Sequence, residues 1–113
     1  MSGPDQAPVA IAGGGSIGVA FALVFARAGL AVQLWDPDPA RRAAVPGEVL
    51  SRLRDLAAHD LLSEPTEAIL ARLGVHAELP GAVAGAQHVQ ECAPERLELK
   101  RDLFTELDRL TPP

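Results

Sequence analysis

The apolar residues of this chain fall into short continuous runs and into longer stripes at helical spacing. Continuous apolar runs are typical of parallel strands that are covered on both faces of a sheet. Strands are predicted at residues 9–12, 31–35, 75–79 and 87–93. The last of these is unusual, because its polar residues suit a strand buried on both faces poorly.

The stripes between these runs predict helices. In the first, over 19–28, apolar residues recur at positions i, i+3, i+4 and i+7 and also fill the opposite face. Such a helix is buried on more than one side, so one face is expected to meet another domain or subunit. A second helix begins with Asp38 as its N-cap and Pro39 as its first residue. Pro46-Gly47 is expected to break it, because proline lacks a backbone donor and clashes with the preceding turn.

Helical spacing resumes over residues 49–61. Ser63 is expected to cap a further helix that ends at Gly74. The segment 81–86 is ambiguous and is at most one helical turn. A last helix opens at Glu95. Its apolar side consists of leucines spaced three or four residues apart: Leu99, Leu103, Leu107 and Leu110.

This alternation of strands and helices predicts an α/β fold: a partial Rossmann-type parallel sheet, in the strand order 3-2-1-4, flanked by helices. Residues 1–7 are expected to form a flexible tail and residues 8–113 a single domain. The full arrangement has two further strands that have no sequence here. The outer edge of strand four is therefore expected to be unpaired.

Glycines stand at 13, 15 and 18 between the first strand and the first helix, in the spacing G-x-G-x-x-G. In this motif Gly13 permits a sharp turn, Gly15 lets the backbone approach a pyrophosphate, and Gly18 lets the helix pack tightly on the sheet. The helix N-terminus offers free N–H groups and a positive dipole end to the phosphates. The spacing therefore predicts a dinucleotide-binding loop.

Asp36 closes the second strand, 18 residues after Gly18. A carboxylate there accepts hydrogen bonds from ribose hydroxyls and repels a 2′-phosphate, which favours NAD over NADP. Arg41 or Arg42 could in principle restore NADP binding, but the carboxylate is the stronger signal. The alternative interpretation is an ordinary strand-to-helix turn in which Asp36 caps the next helix.

Composition narrows the classes of partner. The chain has 113 residues, a net charge of −5 and a single cysteine, Cys92. No cluster of basic residues points to nucleic acid, and one cysteine forms neither an internal disulfide nor a metal cage. Residues 6–26 are uncharged, but glycines interrupt them and no basic segment precedes them, so neither a membrane span nor a signal peptide is expected. We expect a cytoplasmic protein.

A second sequence segment, over residues 88–100, narrows the class of protein further. Together with Gly13-x-Gly15-Ser-Ile-Gly18 and Asp36, the segment His88-Val-Gln-Glu-Cys-Ala-Pro-Glu-Arg-Leu-Glu-Leu-Lys100 resembles the NAD-binding domain of 3-hydroxyacyl-CoA dehydrogenases. The resemblance spans about residues 8–110 and is strongest to the lambda-crystallin and L-gulonate 3-dehydrogenase branch. It departs at Pro46-Gly47, where the family has an unbroken helix.

The resemblance implies an oxidoreductase that uses NAD to oxidise the secondary alcohol of a small 3-hydroxy acid, such as L-gulonate, or of a 3-hydroxyacyl-CoA. It implies that Ser16 and Ile17 present backbone to the pyrophosphate and that Asp36 binds the adenosine ribose. It also implies that Glu95 and Lys100 reach the nicotinamide-side ribose. Taken without the family, these two charges are five residues apart and are interpreted as a solvated helix start.

The family's catalytic histidine and glutamate lie beyond the matched region, so no catalytic residue is expected here. None of His59, His76 and His88 matches the catalytic position, and Cys92 is expected to be a small buried residue. The chain alone is expected to be inactive. We expect a longer enzyme whose C-terminal domain supplies the substrate contacts and the homodimer interface.

Two alternatives stay open. The first is a non-catalytic module that holds NAD or a partner protein without turnover. The second is a segment of an FAD-binding monooxygenase, which also uses G-x-G-x-x-G. There the second-strand acid is usually glutamate, and the string over residues 91–100 does not belong to that class, so this alternative ranks low.

Overall fold

The structure, a computed structural model, describes residues 7–92. Its centre is a sheet of four parallel strands: β1 (Val9–Ala12), β2 (Val32–Trp35), β3 (Leu73–His76) and β4 (His88–Glu91). The strands lie in the order β3-β2-β1-β4. The predicted α/β sheet and its order 3-2-1-4 are therefore confirmed.

Helices cover both faces of this sheet. Within residues 7–92 they are α1 (Ser16–Arg27), α2 (Pro39–Ala58), α3 (Thr66–Leu70) and α4 (Leu79–Val83). The first three pack on one face and α4 packs on the other. Each of these helices is too short or too polar to cross a lipid bilayer.

Strand β1 explains why continuous apolar runs mark strands in this chain. Successive side chains of a strand point to opposite faces of the sheet. Ile11 packs into the core beneath α1, α2 and α3, while Ala10 and Ala12 pack against the side of α4. All four residues of β1 are buried, so the strand has no position at which a polar side chain would reach water.

The parallel register brings the carboxyl ends of the strands to one edge of the sheet. Ala12 at the end of β1 lies opposite Trp35 on β2 and Glu91 on β4. Trp35 in turn lies opposite His76 on β3. The loops that leave these four strands therefore begin side by side, which is where open α/β sheets bind ligands.

Helix α1 lies unusually close to β1. A Cβ atom on Gly18 would lie 1.8 Å from the carbonyl oxygen of Gly13, so no side chain fits at position 18. Gly13 has a φ of +124°, which favours glycine. The helix begins at Ser16, earlier than the apolar segment 19–28 indicates. The packing role predicted for Gly18 and the turning role predicted for Gly13 agree with this geometry.

The apolar residues of α1 are only partly covered. Val19, Ala22 and Ala26 are buried in the core, whereas Val24 is 58 % exposed. The covering of this exposed side by another domain or subunit stays a prediction.

The predicted break at Pro46-Gly47 is wrong, because α2 runs through it without interruption. Val45, Val49 and Leu53, spaced four residues apart on one face, are buried in the core on both sides of the proline. Pro46 itself is exposed. Packing of the buried face therefore outweighs the single hydrogen bond lost at the proline.

The start of α2 follows the prediction. The side chain of Asp38 accepts a hydrogen bond from the backbone N–H of Ala40 at 2.9 Å, as an N-cap does, and Pro39 is the first helical residue. The N-cap oxygen satisfies a donor that has no partner inside the helix, and proline has no donor to satisfy.

The elements between α2 and β4 differ from the prediction. Helix α3 begins at Thr66 with Pro65 at the N-cap position, so Ser63 does not cap it. Gly74 does not end this helix but lies within β3, which starts at Leu73 instead of residue 75. The reason is tertiary: the N–H of Val32 donates to the carbonyl of Arg72, and this pairing draws the chain into the sheet earlier than its apolar pattern suggests.

Further along, residue 79 begins a helix and does not end a strand. Leu79 is buried against the second face of the sheet as the first residue of α4, which contains part of the ambiguous segment 81–86. The predicted strand over 87–93 is observed as β4, and the N–H of Cys92 donates to the Ala12 carbonyl at 2.8 Å just beyond it. The predicted last helix, with Glu95 and Lys100, lies outside the described residues.

Two helical glycines provide a matched test of the contact between α1 and β1. We expect Gly18→Ala to destabilise the fold by about 1–3 kcal/mol or more, because the added methyl group would overlap the backbone of Gly13. A methyl group on Gly47 of α2 meets nothing within 4 Å. Gly47→Ala should therefore raise the stability by about 0.5–1 kcal/mol.

Urea unfolding, followed by the fluorescence of the single tryptophan, Trp35, measures both variants. Equal effects of the two substitutions would contradict the close contact.

Candidate dinucleotide-binding site

The carboxyl edge of the sheet, where open α/β sheets form their ligand-binding crevice, contains the residues that the motif singled out. The glycine loop 13–15 leaves β1 there, and Asp36 follows β2. The chain passes from β1 to β2 on one side, whereas β4 pairs with β1 on the other, so β1 and β4 flank the point where the strand order reverses. Ligands of open α/β sheets bind at such points.

The amino terminus of α1 opens into this crevice. Gly15 is its N-cap, and no side chain caps it. Within residues 7–92, the N–H groups of Gly15, Ser16 and Ile17 have no acceptor. A Cβ atom on Gly15 would meet nothing within 4 Å, so the space beside this residue is open. Free N–H groups and a positive dipole end make such a terminus suited to an anion.

Asp36 joins the glycine loop to the end of β2. The residue is only 8 % exposed. Its Oδ2 accepts a hydrogen bond from the Gly14 N–H at 2.7 Å, and its Oδ1 accepts one from the Asp38 N–H at 2.8 Å. A carboxylate has about four acceptor sites, so each oxygen keeps one for a further donor. The alternative that Asp36 caps the next helix is wrong, since the N-cap is Asp38.

Gly14, the middle glycine of the run, was not assigned a role by the motif. A Cβ atom there would lie 3.1 Å from Val45, 3.3 Å from Leu34 and 3.4 Å from the Cβ of Asp36. The position is thus crowded by side chains of β2 and α2 and by the Cβ of Asp36 together. The signal in the sequence is the glycine at the middle position of the run 13–15, which the spacing G-x-G-x-x-G does not require.

Two arginines of α2 hold the loops of the site. Arg41 donates to the Gly14 carbonyl from Nε at 3.1 Å and from Nη2 at 2.5 Å, and it forms an ion pair with Glu48 at 2.9 Å. Arg42 donates from Nη1 to the Asp36 carbonyl at 2.8 Å. Both guanidinium groups therefore have partners within the protein. This arrangement gives no support to a 2′-phosphate site at Arg41 or Arg42.

The ion pair also affects the acid–base properties of its members. The hydrogen bond from Arg41 lowers the pKa of Glu48, and the same bond raises the pKa of Arg41. Both side chains therefore stay charged across the neutral range, beside the glycine loop.

A third arginine lies at the helix terminus. Arg52 donates from Nη2 to the Ser16 hydroxyl at 3.1 Å. The Ser16 side chain is thereby held toward α2, and a positive charge is added near the start of α1. Sequence reasoning missed this contact, because the two residues are 36 positions apart.

The histidines do not gather at the crevice. His59 follows α2, where its ring contacts the Asp55 carbonyl, and His76 ends the edge strand β3. His88 is the first residue of β4 and so lies at the amino ends of the strands, away from the glycine loop. Its ring centre lies 6.0 Å from that of Phe25. Within residues 7–92 no group of His, Cys, Asp and Glu side chains is arranged to hold a metal ion.

Cys92 is a partly buried residue beside the core. Burial raises the pKa of its thiol, and the charge of Glu91 raises it further. The protonated form of the thiol is therefore favoured, and this form is not the nucleophile.

Fold and crevice together define a dinucleotide-binding domain. The family model of the 3-hydroxyacyl-CoA dehydrogenase NAD-binding domain matches residues 8–113, and the chain belongs to this family. The cofactor of the family is NAD, and the donors at the start of α1 and the carboxylate of Asp36 fit its pyrophosphate and ribose.

Curated relatives of this chain include lambda-crystallins and L-carnitine dehydrogenases. The chain is 39 % identical over 104 residues to a lambda-crystallin homolog of Bos taurus, with 90 % of the chain and 32 % of the relative covered. It is 44 % identical over 113 residues to the L-carnitine dehydrogenase of Streptomyces griseus, with 96 % of the chain and 31 % of the relative covered. The chain thus spans about a third of the length of these relatives.

Solved structures show the same architecture. The 3-hydroxybutyryl-CoA dehydrogenase of Escherichia coli superposes with a TM-score of 0.85 at 31 % identity, over 96 % of this chain and 23 % of that one. The (S)-3-hydroxybutyryl-CoA dehydrogenase of Ralstonia eutropha also gives 0.85, at 27 % identity, over 93 % of this chain and 37 % of that one. These neighbours confirm the Rossmann-type fold.

The raised pKa of Cys92 predicts that its thiol reacts slowly with alkylating reagents. We expect iodoacetamide to modify Cys92 at neutral pH more slowly than it modifies free cysteine, since only the thiolate attacks and burial raises the pKa of this thiol. The rate should rise with pH beyond the point where free cysteine levels off. Mass spectrometry of the intact chain over time measures it, and a rate equal to that of free cysteine would contradict the burial.

Proposed function

We propose that this chain is the NAD-binding part of a dehydrogenase that oxidises the secondary alcohol of a 3-hydroxy acid or a 3-hydroxyacyl-CoA. The observation that carries the proposal is the hydrogen bond from Gly14 to Asp36, which places a carboxylate beside the open start of α1. A dinucleotide needs these two features together: donors for its pyrophosphate and an acceptor for its ribose.

Each part of NAD has a proposed partner. The backbone N–H groups of Ser16 and Ile17 donate to the pyrophosphate, in the space that the missing side chain of Gly15 leaves open. Asp36 uses its remaining acceptor sites for the hydroxyls of the adenosine ribose. Glu95 and Lys100 contact the nicotinamide-side ribose, a role that rests on the family resemblance.

Bound NAD would supply the acceptor for the hydride that leaves the substrate carbon. The residues of this chain bind the cofactor, fix its orientation at the carboxyl edge of the sheet and exclude a 2′-phosphate through the charge of Asp36. The hydroxyl proton needs a base within hydrogen-bond reach. We propose that this base lies in the part of the protein that the relatives have beyond the matched third, together with the substrate contacts and the homodimer interface.

The proposed substrates share one chemical feature. L-gulonate, L-carnitine and 3-hydroxyacyl-CoA all have a secondary hydroxyl on the carbon β to a carboxyl or thioester carbon. Relatives named as L-carnitine dehydrogenases support a small acid as substrate, and neighbours named as 3-hydroxybutyryl-CoA dehydrogenases support a thioester. We propose the small acid, because the lambda-crystallin and carnitine relatives have the higher identities. A cytoplasmic location is proposed with it.

Calorimetric titration tests cofactor binding. We expect the 113-residue chain to bind NAD⁺ at least about tenfold more tightly than NADP⁺, because a 2′-phosphate would approach the buried carboxylate. Asp36→Ala should weaken NAD⁺ binding about tenfold or more, which corresponds to the loss of hydrogen bonds to a charged group.

Asp55→Ala is the matched control, since it removes one carboxylate from the exposed side of α2. Absence of heat with NAD⁺, or an Asp36→Ala chain that binds like the wild type, would overturn the proposed cofactor site. Catalysis is tested separately, with a protein that includes the remaining two thirds of the family's length. Formation of NADH from L-gulonate or L-carnitine supports the dehydrogenase, whereas NAD⁺ binding without turnover of any 3-hydroxy substrate supports the non-catalytic module.

A further inference from the structure

The contact between Arg41 and the glycine loop has no counterpart in the dinucleotide motif. Arg41 reaches back 27 residues to a single backbone atom, the carbonyl oxygen of Gly14, and approaches it with two of its nitrogens. Arginine usually directs such a two-nitrogen contact to a carboxylate or phosphate. Here the fork closes on a peptide group that lies directly before the N-cap of α1.

The position of this carbonyl decides where the next N–H points. The described chain contains no cis peptide bond. In a planar trans peptide, the carbonyl of Gly14 and the N–H of Gly15 point in opposite directions. Because Arg41 holds the carbonyl toward α2, the Gly15 N–H is directed away from α2. Within residues 7–92 it has no acceptor, and the space beside Gly15 is open.

The peptide on the other side of Gly14 is held as well, since its N–H donates to Asp36 at 2.7 Å. Gly14 thus has a carboxylate on its N–H and a guanidinium on its carbonyl. Three consecutive glycines have more accessible backbone conformations than any other run of residues. If the peptide plane between Gly14 and Gly15 flipped, it would present a carbonyl oxygen to the anion site instead of an N–H donor.

Glu48 keeps Arg41 in this position. Its two carboxylate oxygens pair with Nη1 at 2.9 Å and with Nη2 at 3.0 Å, from a site two turns further along α2. Both side chains are about one-third exposed. Partly exposed ion pairs add little to stability, so the pair is better explained by the orientation it imposes on the arginine than by a contribution to folding.

We propose that Arg41, held by Glu48, is a positioning residue that aims the Gly15 N–H at the pyrophosphate of the bound dinucleotide. The proposal rests on the proposed cofactor site. Arg41 touches the loop and not the cofactor, and its effect is confined to the part of NAD that contains phosphate. Adenosine, which has the ribose hydroxyls for Asp36 but no phosphate, should not depend on it.

Titration of variants with NAD⁺ and with adenosine tests this separation. We expect Arg41→Ala to weaken NAD⁺ binding roughly tenfold to a hundredfold, the loss of one hydrogen bond to a charged group, and to change adenosine binding less than about twofold. Arg41→Lys keeps the charge but has no fork, and it should fall between Arg41→Ala and the wild type. Glu48→Gln should resemble Arg41→Lys. Arg54→Ala, which removes a charge from the exposed side of α2, is the matched control and should bind both ligands like the wild type.

A second readout follows the loop itself. In ¹H–¹⁵N spectra of the wild type, NAD⁺ should shift the Gly15 amide resonance downfield, and this shift should be lost in Arg41→Ala while the urea midpoint changes little. Equal weakening of NAD⁺ and adenosine, wild-type NAD⁺ affinity in Arg41→Ala, or an unchanged Gly15 shift would each overturn the proposal. If the wild type does not bind NAD⁺, the proposed cofactor site is wrong as well. If the wild type binds NAD⁺ but the Arg41 variants do not behave as expected, only the positioning role of Arg41 is wrong.

Discussion

The hydrogen bond between the Gly14 N–H and the Asp36 carboxylate is the constraint on which this structure's site depends. It joins the loops that leave two adjacent parallel strands, and it lies in a nearly buried position. A buried carboxylate without hydrogen-bond partners would be strongly unfavourable. Two backbone N–H groups stabilise this one, so a charge can be kept at the edge of the core with acceptor capacity left for a ligand.

Close packing between α1 and β1 is a second constraint on the same glycine loop. The backbone of α1 contacts the Gly13 carbonyl directly at Gly18, and this contact sets the height at which the helix terminus lies above the sheet. The same approach places the free N–H groups at the start of α1 beside the end of β2. The glycine loop 13–15 is therefore constrained twice: by the contact between Gly18 and the Gly13 carbonyl, and by the hydrogen bond from Gly14 to Asp36.

The basic residues around the site act mainly on the protein itself. Arg41 and Arg42 donate to carbonyl groups of the two loops, and Arg52 donates to Ser16. Without these partners, the two arginines after β2 would be natural ligands of a 2′-phosphate. Their internal hydrogen bonds and the carboxylate of Asp36 both favour NAD, the cofactor of the family to which the chain belongs.

The sequence by itself determined the features that depend on neighbouring residues: β1 from its unbroken apolar run, the start of α2 from Asp38 and Pro39, and the glycine loop and Asp36 from their spacing. Only the tertiary structure decided that α2 continues through Pro46, because buried residues on both sides of the proline hold the helix together. It also decided that β3 begins at Leu73, through pairing with β2, and that Arg41 closes on Gly14. Such contacts join residues far apart in the chain, and local pattern does not encode which distant group a side chain will meet.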